Sequence, residues 1–150
     1  MERSAAALDR RMDELLRKIR ERRGKVTPQS MAIYRALLEA EDHPSPKVLY
    51  ERIRRRMPSL SFATIYKAVD TLVDLGLARE VSEISATKRY DANLEKHHHL
   101  VCTRCKRIVD FYDASLDKAV PHKVLGEFRV QAVSVQVLGL CGACARKSKT

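Results

Sequence analysis

Ser61–Glu80 reads SFATIYKAVDTLVDLGLARE, and a change of period inside it decides the fold. Ile65, Val69, Leu72 and Val73 recur on one face of a 3.6-residue helix, behind Ser61 as N-cap and ahead of Gly76 as the stop. After Gly76 the pattern becomes strand-like. LAREVSEI and TKRYDAN are two short runs around SEISAT, as in a hairpin. Working back toward the N-terminus, PSLS is a tight link. Before it, Ser45-Pro46 opens a helix with Val48, Leu49 and Ile53 inward, which ends ahead of Pro58. Thr27-Pro28 gives the same start signal for a helix from about 28 to 40 that buries Met31, Ile33, Tyr34, Leu37 and Leu38. Residues 5–23 add a first helix, with Leu8, Met12, Leu15, Leu16 and Ile19 at helical spacing and Gly24 after it. Helix, helix, turn, helix and hairpin over residues 28–92 is the winged helix-turn-helix order. The short PSLS link and the charge of the chain favour it over a generic helical domain.

That charge is a formal +10, from 29 Lys and Arg against 19 Asp and Glu among 150 residues. It favours a polyanionic partner, for which double-stranded DNA is the natural choice given the winged helix. The helix over about 62–75 is then the recognition helix. Ser61, Thr64, Tyr66 and Lys67 at its start offer hydroxyl and ammonium groups to phosphates and base edges. ERIRRRM just before it suits the DNA backbone, although any single arginine there reads equally well as part of a solvated face. The N-terminus carries charges throughout with no apolar signal core, and no run reaches membrane-span length, so a cytoplasmic protein without membrane contact is expected.

Beyond residue 92 the composition shifts. LVCTRCKRIVDFYD and FRVQAVSVQVLGL are strand-like, and Ser115 is a candidate cap for a short helix that Pro121 interrupts. Residues 93–150 are too few to stand comfortably on core burial, so this unit calls for a staple and a partner chain. Cys102 and Cys105 form one C-x-x-C pair, and Cys141 and Cys144 another. Four thiolates complete a tetrahedral zinc shell, whereas a redox pair needs only one such motif. A closed sulfur site leaves no position for the histidines of KHHHLVC. His97 and His99 point to one face of a strand and His98 to the other, so the first two are ligand-ready. Imidazoles mixed with carboxylates suit Fe(II) or Mn(II), with Asp91, Asp110, Asp113 and Glu95 as candidates among which spacing alone does not choose.

HHHLVCTRC followed by IVDF, CGAC, HPSPKVLYERI and SFATIYKAVDTLVDLGL together resemble the ferric uptake regulator family from about residue 25 to 146. The likeness is greatest to its peroxide-responsive repressors. It implies an α+β protein with an N-terminal winged helix-turn-helix DNA-binding domain (1–92) and a small C-terminal α/β dimerisation domain (93–150) held by a four-cysteine zinc site. It also implies a homodimer on a palindromic operator. Matching the family's regulatory site gives His43, Asp91, His97, His99 and Asp110 as ligands of Fe(II) or Mn(II), with His43 and His97 as the oxidation-sensitive residues. Asp110 tilts the reading, because typical iron-uptake regulators carry Glu there. The function implied is repression relieved when iron-catalysed oxidation by hydrogen peroxide alters a ligand histidine; the alternative is an iron-responsive uptake regulator insensitive to peroxide. Outside the family, a zinc nuclease or hydrolase built on His97, His99 and Asp110 is the rival. Lys106 departs from the family's usual Gly after the first cysteine pair, which strains the turn if a positive φ is needed there. His98 has no evident partner in the sequence, and His122 reads as a surface residue.

Overall fold

A computed structural model describes residues 4–22, 24–81, 87–119 and 133–147. The chain divides into two compact units, Met1–Leu94 and Glu95–Thr150. The SEISAT turn lies almost wholly outside the described residues, as do Pro121, His122 and the first half of FRVQAVSVQVLGL.

The first unit is built from α1 (Ala5–Glu21), α2 (Pro28–Leu38), α3 (Pro46–Ile53) and α4 (Phe62–Asp74), followed by strands β1 (Arg79–Glu80) and β2 (Tyr90–Asp91). Each helix starts where a short polar side chain can take up an orphan backbone N–H. Ser4 accepts from Ala7, Thr27 from Ser30, Ser45 from Val48 and Ser61 from Thr64. Ser30 answers Thr27 by accepting from its backbone N–H, which makes the start of α2 a capping box. The end of α4 is equally well determined. Gly76 takes φ +64°, its N–H bonds Val73 O, and the Leu77 N–H reaches back to Leu72 O, forming a Schellman motif. Leu72 and Leu77 then enter the same core, with Leu15, Ile33, Tyr34, Leu38, Leu49, Ile65, Val69 and Tyr90. Met31, Val48 and Val73 are only half-buried. β1 and β2 pair antiparallel with Arg79 opposite Asp91, so the helices end in the base of a hairpin. α1 is tied to this base by Arg11, which donates to the Tyr34 hydroxyl and to the carbonyls of Leu77 and Ala92. Lys18 and Arg22 donate to Leu75 O and Asp74 O, satisfying carbonyls that α4 leaves open.

The second unit carries β3 (His98–Cys102), β4 (Ile108–Phe111), α5 (Ala114–Ala119), β5 (Gln136–Gly139) and α6 (Gly142–Arg146). Its sheet has the order β4-β3-β5, with β3 antiparallel to β4 and parallel to β5. The short helix starts two residues earlier than the sequence suggests. Asp113, not Ser115, is the capping side chain, since its Oδ1 accepts from the Ser115 N–H and hydroxyl. A carboxylate is as good a cap as a hydroxyl, and here it stands closer to the strand end. His98 proves to be buried and partnered: its Nδ1 accepts from Val135 N–H at 3.3 Å and its Nε2 faces Asp113 O at 3.2 Å, so it bridges β3 to the chain on both sides. Val109, Leu100 and Val137 stand side by side across the three strands on one face, each 40–44% exposed.

Candidate metal centres and nucleic-acid interface

The sulfur cluster is assembled from three elements. Cys102 ends β3, Cys105 follows in the turn, Cys141 precedes α6 and Cys144 lies within it. All four Sγ atoms lie within 4.8 Å of one another, and Cys105 and Cys141 are 3.7 Å apart. That is no disulfide, and it matches the edge of about 3.8 Å expected when thiolates surround one ion at about 2.3 Å in a tetrahedron. The backbone prepares the sulfurs for charge. N–H groups of Cys105 and Cys141 push the Cys102 thiol down to about 6, and the Cys144 N–H lowers Cys141. Cys144, as hydrogen-bond donor to Cys141 beside other thiols, is pushed up to about 12, so a cation is what would release its proton. Lys106 closes the turn with φ +62°, donating its N–H to Cys102 O, so a side chain sits where glycine would be unstrained. The site fits structural zinc.

On the other face of β3 a second cluster forms within the same unit. His99 is directly opposite Asp110 in the β3–β4 register, and His97 precedes the strand on the His99 side. His97 and His99 are both 2% exposed, with their Nε2 atoms 3.0 Å apart. Asp110 Oδ1 lies 3.6 Å from the first and 3.8 Å from the second. Two nitrogens at about 2.1 Å from one ion, at a right angle, are about 3 Å apart, so the pair fits a shared ligand. His97 Nδ1 is 2.9 Å from Glu95 O; with the proton assigned there, Nε2 presents its lone pair toward His99 and Asp110.

The first unit contributes a buried pair of its own. His43 and Asp91 are 4% and 7% exposed and offer ligand atoms within 4.8 Å of each other. The His43-Pro44 turn is fixed along β2 by Arg89, which donates to His43 O, and by the Tyr90 N–H on Pro44 O. His43 adopts φ +49° immediately before a proline, a conformation few residues accept without support. Asp42 beside it is forked by Arg52 of α3, whose guanidinium helps hold its carboxyl below the usual range against the opposing effect of burial. Asp91 is bracketed too: Oδ1 accepts from Asn93 N–H at 2.7 Å, and Oδ2 faces Arg79 Nε at 3.3 Å. Imidazole and carboxylate donors of this kind fit a regulatory Fe(II) or Mn(II). Sequence reasoning missed Arg79 and Asn93. The D-x-N spacing of an Asx turn was the one available signal for Asn93; Arg79 needs the strand register.

At the start of α4, Ser61 Oγ is engaged by the Thr64 N–H and Oγ1. Tyr66 and Lys67 are exposed and Thr64 is partly covered. Tyr66 stands edge-on to Phe62, which stands edge-on to Tyr50, with Arg54 above the Tyr50 ring. This aromatic row, also absent from the sequence reading, stiffens the exposed face around Tyr66. Among the described residues no helix is long and apolar enough to cross a membrane.

The helices and hairpin base of the first unit, together with the sulfur and imidazole–carboxylate ligand sets, point to a metal-responsive regulator of DNA. Residues 21–138 match the ferric uptake regulator family, and the chain belongs to it. It is 29% identical over 139 residues to the peroxide-responsive repressor PerR of Staphylococcus epidermidis, covering 92% of this chain and 93% of that one. Among solved structures it is similar to the Campylobacter jejuni peroxide stress regulator at 34% identity and a TM-score of 0.68, over 87% and 98% of the two chains. The Helicobacter pylori ferric uptake regulator shares the fold with a TM-score of 0.80 at 20% identity, over 92% and 93%. Regulators of this family are DNA-binding dimers.

Proposed function

We propose that the chain is a metal-dependent repressor that senses hydrogen peroxide. The observation that carries this reading is the placement of Asp110 opposite His99, with His97 alongside, which supplies a short carboxylate to a pair of imidazoles. In this reading one Fe(II) or Mn(II) is held by His43, Asp91, His97, His99 and Asp110. The first two belong to the DNA-binding domain over 1–92 and the others to the dimerisation domain over 93–150. Five protein ligands from both domains make ion binding and domain orientation one equilibrium, so metal and operator affinity rise together. The Val109, Leu100 and Val137 row packs against a second copy. Two recognition helices related by a two-fold axis then read a palindromic operator. Such a repressor acts in the cytoplasm, where the DNA is.

Bound iron would activate peroxide so that one of its oxygen atoms is inserted at a ligand imidazole carbon while the other leaves as water, the imidazole being the net two-electron donor; His43 and His97 are the candidates. The protein's part is to hold these rings at fixed atoms. Glu95 O aligns His97, while Arg89 and Arg52 fix the His43 turn. Release from operator DNA, measured against peroxide with Fe(II) or Mn(II) loaded, tests the proposal. The iron form should release DNA and gain oxygen mass on the His43 or His97 peptide, and the manganese form should do neither. Asp110→Glu, one methylene longer, should repress with metal yet resist peroxide. An iron form that stays bound and unmodified points instead to the iron-uptake reading.

Ser61, Thr64, Tyr66 and Lys67 are the proposed DNA contacts. Lys67→Ala should weaken operator binding and lower the salt slope by about 0.9, with both metal sets intact. An unchanged slope would move the phosphate contact elsewhere.

A further inference from the structure

We infer that Arg79 is a positioning residue for the regulatory ion: its guanidinium holds the Asp91 carboxylate when no ion is bound and sets how tightly an ion can be held. The inference rests on the reading of Asp91 as a ligand. Strand register places the two residues directly opposite each other on β1 and β2. Asp91 is 7% exposed, and a carboxylate so deeply buried needs a charge or strong donors nearby. Arg79 Nε lies 3.3 Å from Oδ2, and its Nη2 donates to Asn93 O at 2.6 Å. The second bond anchors the guanidinium to the backbone, so it does not simply swing away. Asn93 N–H holds Oδ1 at 2.7 Å and keeps the carboxylate oriented independently of the arginine.

A guanidinium cannot shed its proton at any ordinary pH, so its charge persists when a divalent cation arrives. Two effects then act in the same direction. The carboxylate is already compensated, so an ion gains less from it. The ion also meets a fixed positive charge at short range. Arg79 therefore lowers affinity at a site with an otherwise strong donor set, which allows the ion to leave when its concentration falls.

The test is calorimetric titration of Mn(II) into the zinc-loaded full chain. Arg79→Gln should bind Mn(II) more than about tenfold tighter, because a unit charge a few ångström from a divalent ion repels it strongly even through an effective dielectric of about 20. Arg79→Lys, which keeps the charge, should stay near wild type. A merely structural role predicts weaker binding in both variants. Unchanged or weaker Mn(II) binding in Arg79→Gln overturns the inference, as does equal tightening in Arg79→Lys. The melting temperature of zinc-loaded Arg79→Gln confirms that a folded chain is titrated. Asp91→Asn separates the two levels. If it loses Mn(II) affinity while Arg79→Gln is unchanged, only the role of Arg79 fails. If it leaves Mn(II) affinity intact, the reading of Asp91 as a ligand fails, and this inference with it.

Discussion

Cys141→Ser is expected to release zinc and unfold the second unit while the first remains helical. The core of the first unit is large and continuous, running from Leu15 to Ala92. In the second unit the buried apolar side chains among the described residues are Val101, Cys102, Ile108 and Cys144, and two of those belong to the sulfur cluster. Burying a few such side chains contributes about 1.5–3 kcal/mol each, before any chain entropy is subtracted. Structural zinc in small units contributes about 10–16 kcal/mol, which exceeds the whole stability of many domains. Serine keeps the shape of cysteine and removes only the soft anion, so the loss reports on the metal and not on packing. Zinc content by a chromophoric chelator, near-ultraviolet dichroism and size-exclusion chromatography would follow the change. The variant should hold no zinc and elute as a monomer. A zinc-free variant with a normal dimer and melting profile would show that the sulfur cluster is dispensable.

His99→Ala should weaken Mn(II)-dependent operator binding by more than about 100-fold, because loss of outer partners alone costs metal sites about 10–100-fold. His99 is within reach of both neighbours in its cluster: its Nε2 lies 3.0 Å from His97 Nε2 and 3.8 Å from Asp110 Oδ1. The variant should retain zinc, since the sulfur cluster gathers at the far end of β3, from Cys102 onward, and around α6. Titration of Mn(II) against a fluorescent operator duplex, with zinc measured in parallel, reads both effects. Wild-type metal dependence in the variant would remove this cluster from the regulatory site.

Much of this architecture is legible in the sequence because its signals are local. Thr27-Pro28, Ser45-Pro46 and Ser61 mark helix starts by chemistry confined to four residues, and the structure uses each as a cap. The two C-x-x-C pairs announce a shared site because the ligand chemistry demands four donors. His97 and His99 share a face through simple alternation, and the opposition of His99 to Asp110 follows once the hairpin register is known. Features that depend on distant parts of the chain are not legible. Nothing in VSVQVLG says that it lies parallel to β3 rather than beside β4. His98 looks partnerless until Val135 and Asp113 are brought to either side of its ring. Arg79 reads as one more basic residue until it faces Asp91 across the β1–β2 pair.

The parallel pairing of β3 with β5 also imposes an order in time. Cys105 and Cys141 are 36 residues apart, so at about 5–20 residues per second the second sulfur pair leaves the ribosome about 2–7 seconds after the first. During that interval β3 presents an uncovered edge, and its C-x-x-C can chelate only from one side. Half a site binds zinc weakly and closes no loop. The nascent unit is therefore exposed to wrong strand pairing until its final turns emerge. Zinc supplied during synthesis should therefore raise the yield of folded chain.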